Sequence, residues 1–161
     1  MNKDTAPAIA LGLCAAFLAA LFAGEARAAD TYVIAHGASK HGSTADSYKF
    51  NEVNLGAALR LDLTDTHGLQ AGVYRNSYYK LTAYAGYQYT PVRIGAVRLG
   101  GFVGLASGYK AQSALNVGAL SVVGGAYAVA DFDSYTVAVR AAPKMSPKTT
   151  SVVALEVGFK F

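Results

Sequence analysis

The chain has 161 residues, of which 53% are hydrophobic and only 15% are charged, and its formal net charge is +4. Ordinary soluble domains carry roughly 25% charged residues, and disordered chains combine low hydrophobicity with high charge. The composition therefore excludes disorder, and a single cysteine excludes an intrachain disulfide scaffold. The apolar excess, together with 17 Gly and 11 Tyr, favours a membrane protein.

Residues 1–28 are predicted to form a cleaved signal peptide, which leaves residues 29–161 as one domain. An apolar run at residues 9–22 follows a short polar start, and the small residues of Ala26-Arg27-Ala28 fit a signal peptidase site. A membrane anchor is the alternative, but a spanning helix needs about 20 apolar residues. A lipoprotein signal fits poorly, because Cys14 lies inside the apolar run.

Alternation with a period of two predicts an all-β fold of eight antiparallel strands. At the end of the chain, for example, Val153, Leu155 and Val157 occupy one face while Glu156 and Lys160 occupy the other. An even number of strands of roughly ten residues closes a transmembrane β-barrel in which every backbone group is paired. The predicted strands lie near residues 31–39, 53–62, 69–74, 81–89, 97–108, 115–128, 135–142 and 151–161.

An apolar strand that ends on Phe161, behind a signal peptide, is typical of bacterial outer-membrane barrels, so we expect the protein in the bacterial cell outer membrane. With the N-terminus in the periplasm, outer loops near residues 40–50, 75–80, 108–113 and 143–150 are cationic. Inner turns near residues 62–67, 90–95 and 130–134 are acidic. A cationic outer rim suits anionic lipopolysaccharide. The residues predicted to bind lipid headgroups are Lys40, Lys49, Arg75, Lys80 and Lys110.

The expected partners are therefore the lipopolysaccharide and phospholipid of the outer membrane. No nucleic-acid partner is expected, and a small barrel closes its own edges as a monomer. No metal and no cofactor are predicted. After signal removal the chain has no cysteine, no carboxylate lies at a ligand spacing from its histidines, and no phosphate-cradling glycine loop appears. The histidines are His36, His41 and His67.

Charged residues on the inward phase of the strands predict a lumen filled by ion pairs. An eight-stranded barrel leaves room only for side chains or one ligand, so a conducting pore is the least expected function. Such a charge network would compete with an apolar pocket. The predicted inward residues are Glu52, Arg60, Asp62, Arg98, Arg140, Glu156 and Lys160.

One constellation could carry chemistry. His36 ends the first predicted strand, and Asn76 and Ser77 end the third at the same rim. A serine and a histidine at hydrogen-bond distance can run acyl transfer. The alternative is that they are ordinary solvated rim residues.

Several short motifs resemble the lipid A palmitoyltransferase family of outer-membrane enzymes. The motifs are Phe50-Asn51-Glu52, Gly72-Val73-Tyr74-Arg75-Asn76-Ser77-Tyr78, Ala85-Gly86-Tyr87, Ala142-Pro143 and Phe159-Lys160-Phe161. The resemblance implies an interior acyl pocket and transfer of a palmitoyl group from a phospholipid to lipid A. It implies that His36, Asn76 and Ser77 are catalytic and that Gly86 and Gln88 belong to the acyl pocket.

The chain departs from the family pattern at two of these positions. Asn76 stands where the family has an aspartate, and Gln88 where it has a glycine at the floor of the pocket. The family's amphipathic N-terminal helix and its tryptophans are also missing. Three hypotheses stay open: a lipid A acyltransferase, a non-catalytic structural or surface-interaction barrel of the same fold, and an unrelated small conduit or adhesin-type barrel.

Overall fold

A computed structural model describes residues 30–42, 49–109, 115–144 and 149–161. The predicted signal peptide lies outside these ranges and remains a prediction. No helix in the described part of the chain is long and apolar enough to cross a membrane.

The described residues form a closed antiparallel β-barrel, which confirms the predicted fold class. Eight strands form the wall, and the pairings of β1 with β9 and of β5 with β7 close the ring. The two-residue strand β6 pairs with the start of β7 as a small hairpin. The strands are β1 (Asp30–His41), β2 (Val53–Asp62), β3 (His67–Arg75), β4 (Leu81–Ile94), β5 (Val97–Ala106), β6 (Asn116–Val117), β7 (Leu120–Asp131), β8 (Tyr135–Ala142) and β9 (Val152–Lys160).

The barrel has two distinct rims. At the terminal rim both chain ends meet, and Lys160 Nζ lies 2.7 Å from Asp30 Oδ1. The short turns at residues 63–66, 95–96 and 132–134 also lie there. At the opposite rim, the loop rim, the connections are longer, and their described residues are 42, 49–52, 76–80, 107–109, 115–119, 143–144 and 149–151. This grouping agrees with the predicted inner turns and outer loops.

Two predicted boundaries were wrong. The strand predicted at 115–128 is instead the β6–β7 hairpin, and the wall strand runs from Leu120 to Asp131. Gly118 has φ 62° and makes the tight turn, which interrupts the alternation there. The turn predicted at 90–95 is mostly strand, because β4 continues to Ile94 through a register shift between Tyr89 and Val92. Pro91 lies in this shift, as expected for a residue that donates no ladder hydrogen bond.

The barrel exterior is apolar along every wall strand. Large apolar side chains on seven of the eight wall strands alternate outward and are exposed, at up to 76% for Leu81, and the outward residues of β7 are alanines. Monomeric soluble proteins rarely expose a contiguous apolar surface of this extent. Members of this band are Val33, Val53, Leu55, Val73, Leu81, Tyr87, Val103, Val139, Val153, Leu155 and Phe159.

The lumen near the terminal rim is closed by ion pairs. Asp62 binds two buried guanidinium groups, with Oδ1 at 3.1 Å from Arg60 Nε and Oδ2 at 2.8 Å from Arg98 Nη2. Arg98 Nε also lies 2.6 Å from Asp131 Oδ2. The Arg60 guanidinium lies 4.0 Å from the centre of the Tyr32 ring. We call this group of five residues the charge plug.

The predicted charge network is thus confirmed for the inward residues of the strands. Arg60, Asp62 and Arg98 belong to the charge plug, and Arg140 pairs with Glu156 farther up the lumen at 2.7 Å. The two other predicted members lie at the rims instead. Glu52 is half-exposed beside Lys40 at the loop rim, and Lys160 pairs with Asp30 at the terminal rim.

Removing the shared carboxylate should destabilise the barrel. Asp62→Asn leaves the fully buried Arg60 without a carboxylate partner, and we expect the free energy of unfolding to fall by about 3–5 kcal/mol. Urea unfolding in detergent micelles, followed by circular dichroism, measures this change. Asp133→Asn is the control, because Asp133 is exposed at the same rim. Equal urea midpoints for the two variants would contradict the structural role of the plug.

Candidate functional site

A cavity of about 230 Å³ occupies the half of the lumen that faces the loop rim. Most of its wall is apolar or aromatic, and its floor is polar. The predicted pocket residues Gly86 and Gln88 both line it. Gln88 is buried and donates from Nε2 to Gln70 Oε1 at 2.7 Å, so these two side chains separate the cavity from the charge plug. The cavity is thus a blind pocket that opens toward the loop rim.

The ladder between β7 and β8 ends beside this cavity. The pairing of β7 with β8 begins at Ala126 and Ala141, whereas β7 continues toward the loop rim as far as Leu120. On that side of β7, Leu120 and Ser121 pair instead with β6, and the Val122 amide donates to the Leu115 carbonyl at 3.0 Å. Within the described ranges only residues 123 and 124 have no backbone pairing on the β8 side. Val122, Val123 and Gly124 line the cavity, as do Ala142 and Pro143 across the gap. The cavity therefore lies beside the point where β7 and β8 separate, where β6 takes the place of β8.

His36 lies in the cavity wall, but it does not bind Ser77. Its Nδ1 lies 3.2 Å from Glu156 Oε1, and its Nε2 lies 2.8 Å from the Tyr84 hydroxyl. Gln70 Nε2 donates to that hydroxyl at 2.6 Å, which leaves the hydroxyl hydrogen for His36 Nε2. The Glu156 carboxylate, held by Arg140, requires a donor and therefore assigns the ring hydrogen to Nδ1.

This assignment gives every member of the His36 cluster a partner. Both ring nitrogens of His36 are occupied, so the imidazole has no free lone pair for a serine proton. The predicted meeting of His36 with Ser77 is therefore not what the structure shows. The cluster is instead the polar floor and side wall of the cavity.

Asn76 organises the turn that follows β3. Its side chain is fully buried, and Oδ1 accepts hydrogen bonds from the backbone amides of Tyr78 at 2.8 Å and Lys80 at 3.0 Å. Its Nδ2 donates to Thr82 Oγ1 at 2.9 Å. Asn76 therefore holds the loop that presents Ser77, and the structure gives it no contact with His36.

Ser77 binds a different histidine. Its Oγ lies 2.7 Å from His41 Nε2, at the mouth of the cavity. The His41 ring stacks on Phe50, with ring centroids 4.4 Å apart and an interplanar angle of 12°. The side chain of His41 is only 6% exposed, and its Nδ1 lies 4.0 Å from Glu52 Oε1 without a hydrogen-bond partner.

Glu52 is anchored beside His41 from two sides. Its Oε2 accepts a hydrogen bond from Lys40 Nζ at 3.1 Å, and its Oε1 accepts one from the backbone amide of His41 at 3.4 Å. These hydrogen bonds, Lys40 first, lower the pKa of Glu52. Glu52 is therefore a carboxylate at neutral pH. Serine, imidazole and carboxylate thus follow one another in space at the cavity mouth.

His41 faces the lumen because β1 is irregular. The register of β1 shifts between His36 and Ala38 against β2, and between His36 and Ser39 against β9. A bulge adds one residue and reverses the alternation beyond it. Strict alternation would have turned Lys40 inward and His41 outward. Gly37, next to another small residue, is the only hint of the bulge in the sequence.

The predicted headgroup residues surround the loop rim. Lys49 and Lys80 are exposed there, and Lys40 is exposed while paired with Glu52. The Arg75 guanidinium lies 5.4 Å from the Tyr79 ring centroid. Lys110 lies outside the described residues. Among the residues that the structure covers, no three His, Cys, Asp or Glu side chains are grouped as metal ligands.

No protein-family model matches the chain, and no curated protein matches it either.

The hydrogen bonds of Asn76 explain why an aspartate would fit this position poorly. The Thr82 hydroxyl donates to the Ser107 carbonyl at 2.9 Å, so it can only accept from residue 76. Asn76→Asp removes the donor and places a buried carboxylate against this oxygen. We expect the free energy of unfolding to fall by about 1–3 kcal/mol, measured by urea unfolding.

The double variant Asn76→Asp/Thr82→Val provides the control for this prediction. Without the hydroxyl at position 82, the aspartate no longer faces that oxygen, so the two substitutions should not be additive. An Asn76→Asp variant as stable as the parent protein would contradict the assigned hydrogen bond.

Proposed function

We propose that the protein is an outer-membrane enzyme that transfers an acyl chain from a phospholipid to lipid A. The observation that carries the proposal is the mostly apolar cavity in the lumen, which lies beside the point where β7 and β8 separate and holds Ser77 at its mouth. A reactive hydroxyl above a narrow, mostly apolar pocket suits a lipid ester. Its alkyl chain would enter the pocket and its carbonyl would stay near the rim.

Residence in a membrane is supported by the exterior. The exposed apolar band would be covered by hydrocarbon, and closure of the ring pairs both edges of nearly all of the described wall. Aromatic side chains near the terminal rim suit the interface of a membrane: Tyr87 and Tyr89 flank His67, and Phe132 stacks on Tyr135 at 4.5 Å. The bacterial outer membrane is the proposed location, since a closed β-barrel is compatible with it.

The charges of the loop rim support an anionic lipid as partner. Lys40, Lys49, Arg75 and Lys80 are exposed around the mouth of the cavity. In the proposed orientation these cations face the phosphates of lipopolysaccharide and phospholipid in the outer leaflet. The terminal rim, where the charge plug closes the lumen, then faces the periplasm.

A second candidate function is a non-catalytic barrel of the same fold. The favouring observation is that two of the three predicted catalytic residues, His36 and Asn76, have their polar atoms engaged in internal hydrogen bonds. In a non-catalytic barrel the cavity would bind no substrate. The protein would then act through its loops.

Mass spectrometry of lipid A from cells that produce the protein separates the two functions. We expect an added acyl mass with the parent protein and none with Ser77→Ala. Ser39→Ala is the matched control, since Ser39 also lines the cavity and is equally buried, at 9% against 8%. Heat-modifiable migration on gels verifies that each barrel is folded. Unmodified lipid A beside folded protein in the outer membrane would favour the second candidate.

The acyl length should depend on Gln88, because this side chain ends the cavity. Gln88→Gly deepens the floor, and we expect a longer acyl group on lipid A, read from the same spectra. Gln88→Met is the control, because it keeps an unbranched side chain of about the same length and should leave the acyl length unchanged. An unaltered acyl mass in Gln88→Gly would mean that the chain does not reach the floor.

A further inference from the structure

We infer that Ser77 is a nucleophile, that His41 is its general base, and that Glu52 positions His41, so that an acyl-serine forms at the cavity mouth. The inference rests on the proposed function for its substrate class, an ester lipid. It assigns the chemistry to a serine–histidine–glutamate set instead of the predicted His36, Asn76 and Ser77.

The distance between serine and base is already suited to proton transfer. Ser77 Oγ and His41 Nε2 are 2.7 Å apart, within the 2.6–3.2 Å that a general base requires. Unlike His36, whose two nitrogens are occupied, His41 has its Nε2 directed at a hydroxyl beside open space. Both Ser77 and His41 line the cavity.

One short segment, residues 50–52, holds the set together. The Phe50 ring stacks on His41, and the backbone amide of Asn51 donates to the Ser77 carbonyl at 2.9 Å. Glu52, the third residue, carries the carboxylate. The segment therefore fixes the imidazole plane, the serine backbone and the acid in one frame. If the hydrogen bond between Ser77 and His41 served only the fold, it would not need an adjacent carboxylate held by the same segment.

The remaining contact, between imidazole and carboxylate, is open in the free protein. With the serine proton directed at Nε2, the ring hydrogen is on Nδ1, which is buried and has no acceptor. The nearest carboxylate oxygen, Glu52 Oε1, is 4.0 Å away. A movement of about 1 Å makes the hydrogen bond, and catalytic hydrogen bonds often shorten only when substrate binds.

The reaction then balances as a two-step acyl transfer. Ser77 Oγ attacks the ester carbonyl carbon, its proton passes to His41 Nε2, and the bond from the acyl carbon to the glycerol oxygen breaks. His41 returns that proton to the departing glycerol oxygen. In the second step a hydroxyl of lipid A attacks the acyl-serine, and its proton passes through His41 back to Ser77 Oγ.

Tyr109 is placed to stabilise the oxyanion of both steps. Its hydroxyl contacts Ser77 and lies 2.9 Å from the Tyr74 hydroxyl. Burial raises the pKa of the Tyr109 hydroxyl well above its usual value, so this group stays protonated. A neutral donor at the mouth can bind the carbonyl oxygen as negative charge develops on it.

The test uses a fluorophosphonate probe on the purified, folded, full-length protein in detergent micelles. Intact mass and peptide mapping should locate one adduct on Ser77. The labelling rate should fall about 10²–10⁴-fold in His41→Asn, because a general base contributes a factor of that size. His67→Asn is the control, since His67 lies on the barrel exterior at the terminal rim.

Two comparisons make the outcome decisive. Label on Ser77 that is lost in His36→Asn but kept in His41→Asn overturns the inference, as does the absence of any Ser77 adduct. For Glu52, the labelling rate should fall roughly tenfold in Glu52→Gln, since the carboxylate is half-exposed. It should recover partly in Glu52→Asp, whereas the urea midpoint stays the same in both variants.

Failure of this inference and failure of the proposed function are distinguishable. Acylated lipid A in cells with His41→Asn overturns the serine–histidine mechanism and leaves the function standing. A Ser77 adduct in a protein that leaves lipid A unmodified overturns lipid A as the acceptor and leaves the nucleophile standing.

Discussion

Everything in this molecule depends on the backbone hydrogen bonds that join β1 to β9. They turn an open sheet with two unpaired edges into a ring, with His41 opposite Val152 at one end and Tyr32 opposite Lys160 at the other. Once the ring is closed, alternate side chains must enter a lumen that holds little more than side chains. The outward residues are then free to be uniformly apolar.

The narrow lumen is divided into two environments. Near the terminal rim, Asp62 and Asp131 together neutralise the two guanidinium groups of the charge plug, because an unpaired buried charge costs several kcal/mol. Near the loop rim, small residues and aromatic rings leave space. Gln70 and Gln88 form the boundary, and their amide groups satisfy each other, Tyr84 and Arg140. The charge plug and the two glutamines thereby form a fixed base beneath the cavity.

The alternation of apolar and polar residues predicted much of this fold from the sequence, because successive side chains of a strand point to opposite faces. The wall strands, the rims and the inward charges followed from that alternation. The errors arose where one residue changes the phase: Gly118 turns the chain before β7, and the bulge after His36 reverses β1. The partner of Ser77 is set by that bulge, so residue types and spacing alone pointed to His36. The sequence alone could not show whether the side chain of Asn76 has a structural or a catalytic role, because its hydrogen-bond partners decide this.

The bulge in β1 has a consequence for how such a site can arise or vanish. Side chains along a strand alternate between its two faces. One extra residue in a bulge exchanges the faces of all the residues beyond it. The same residues paired in strict alternation, with no bulge between His36 and Ser39, would exchange the environments of Lys40 and His41. The ammonium of Lys40 would then enter the lumen, and the imidazole of His41 would lie on the outer face of the barrel. In this barrel the chemistry of the mouth therefore depends on the register of β1 as well as on residue identity, because the bulge decides whether Lys40 or His41 enters the lumen.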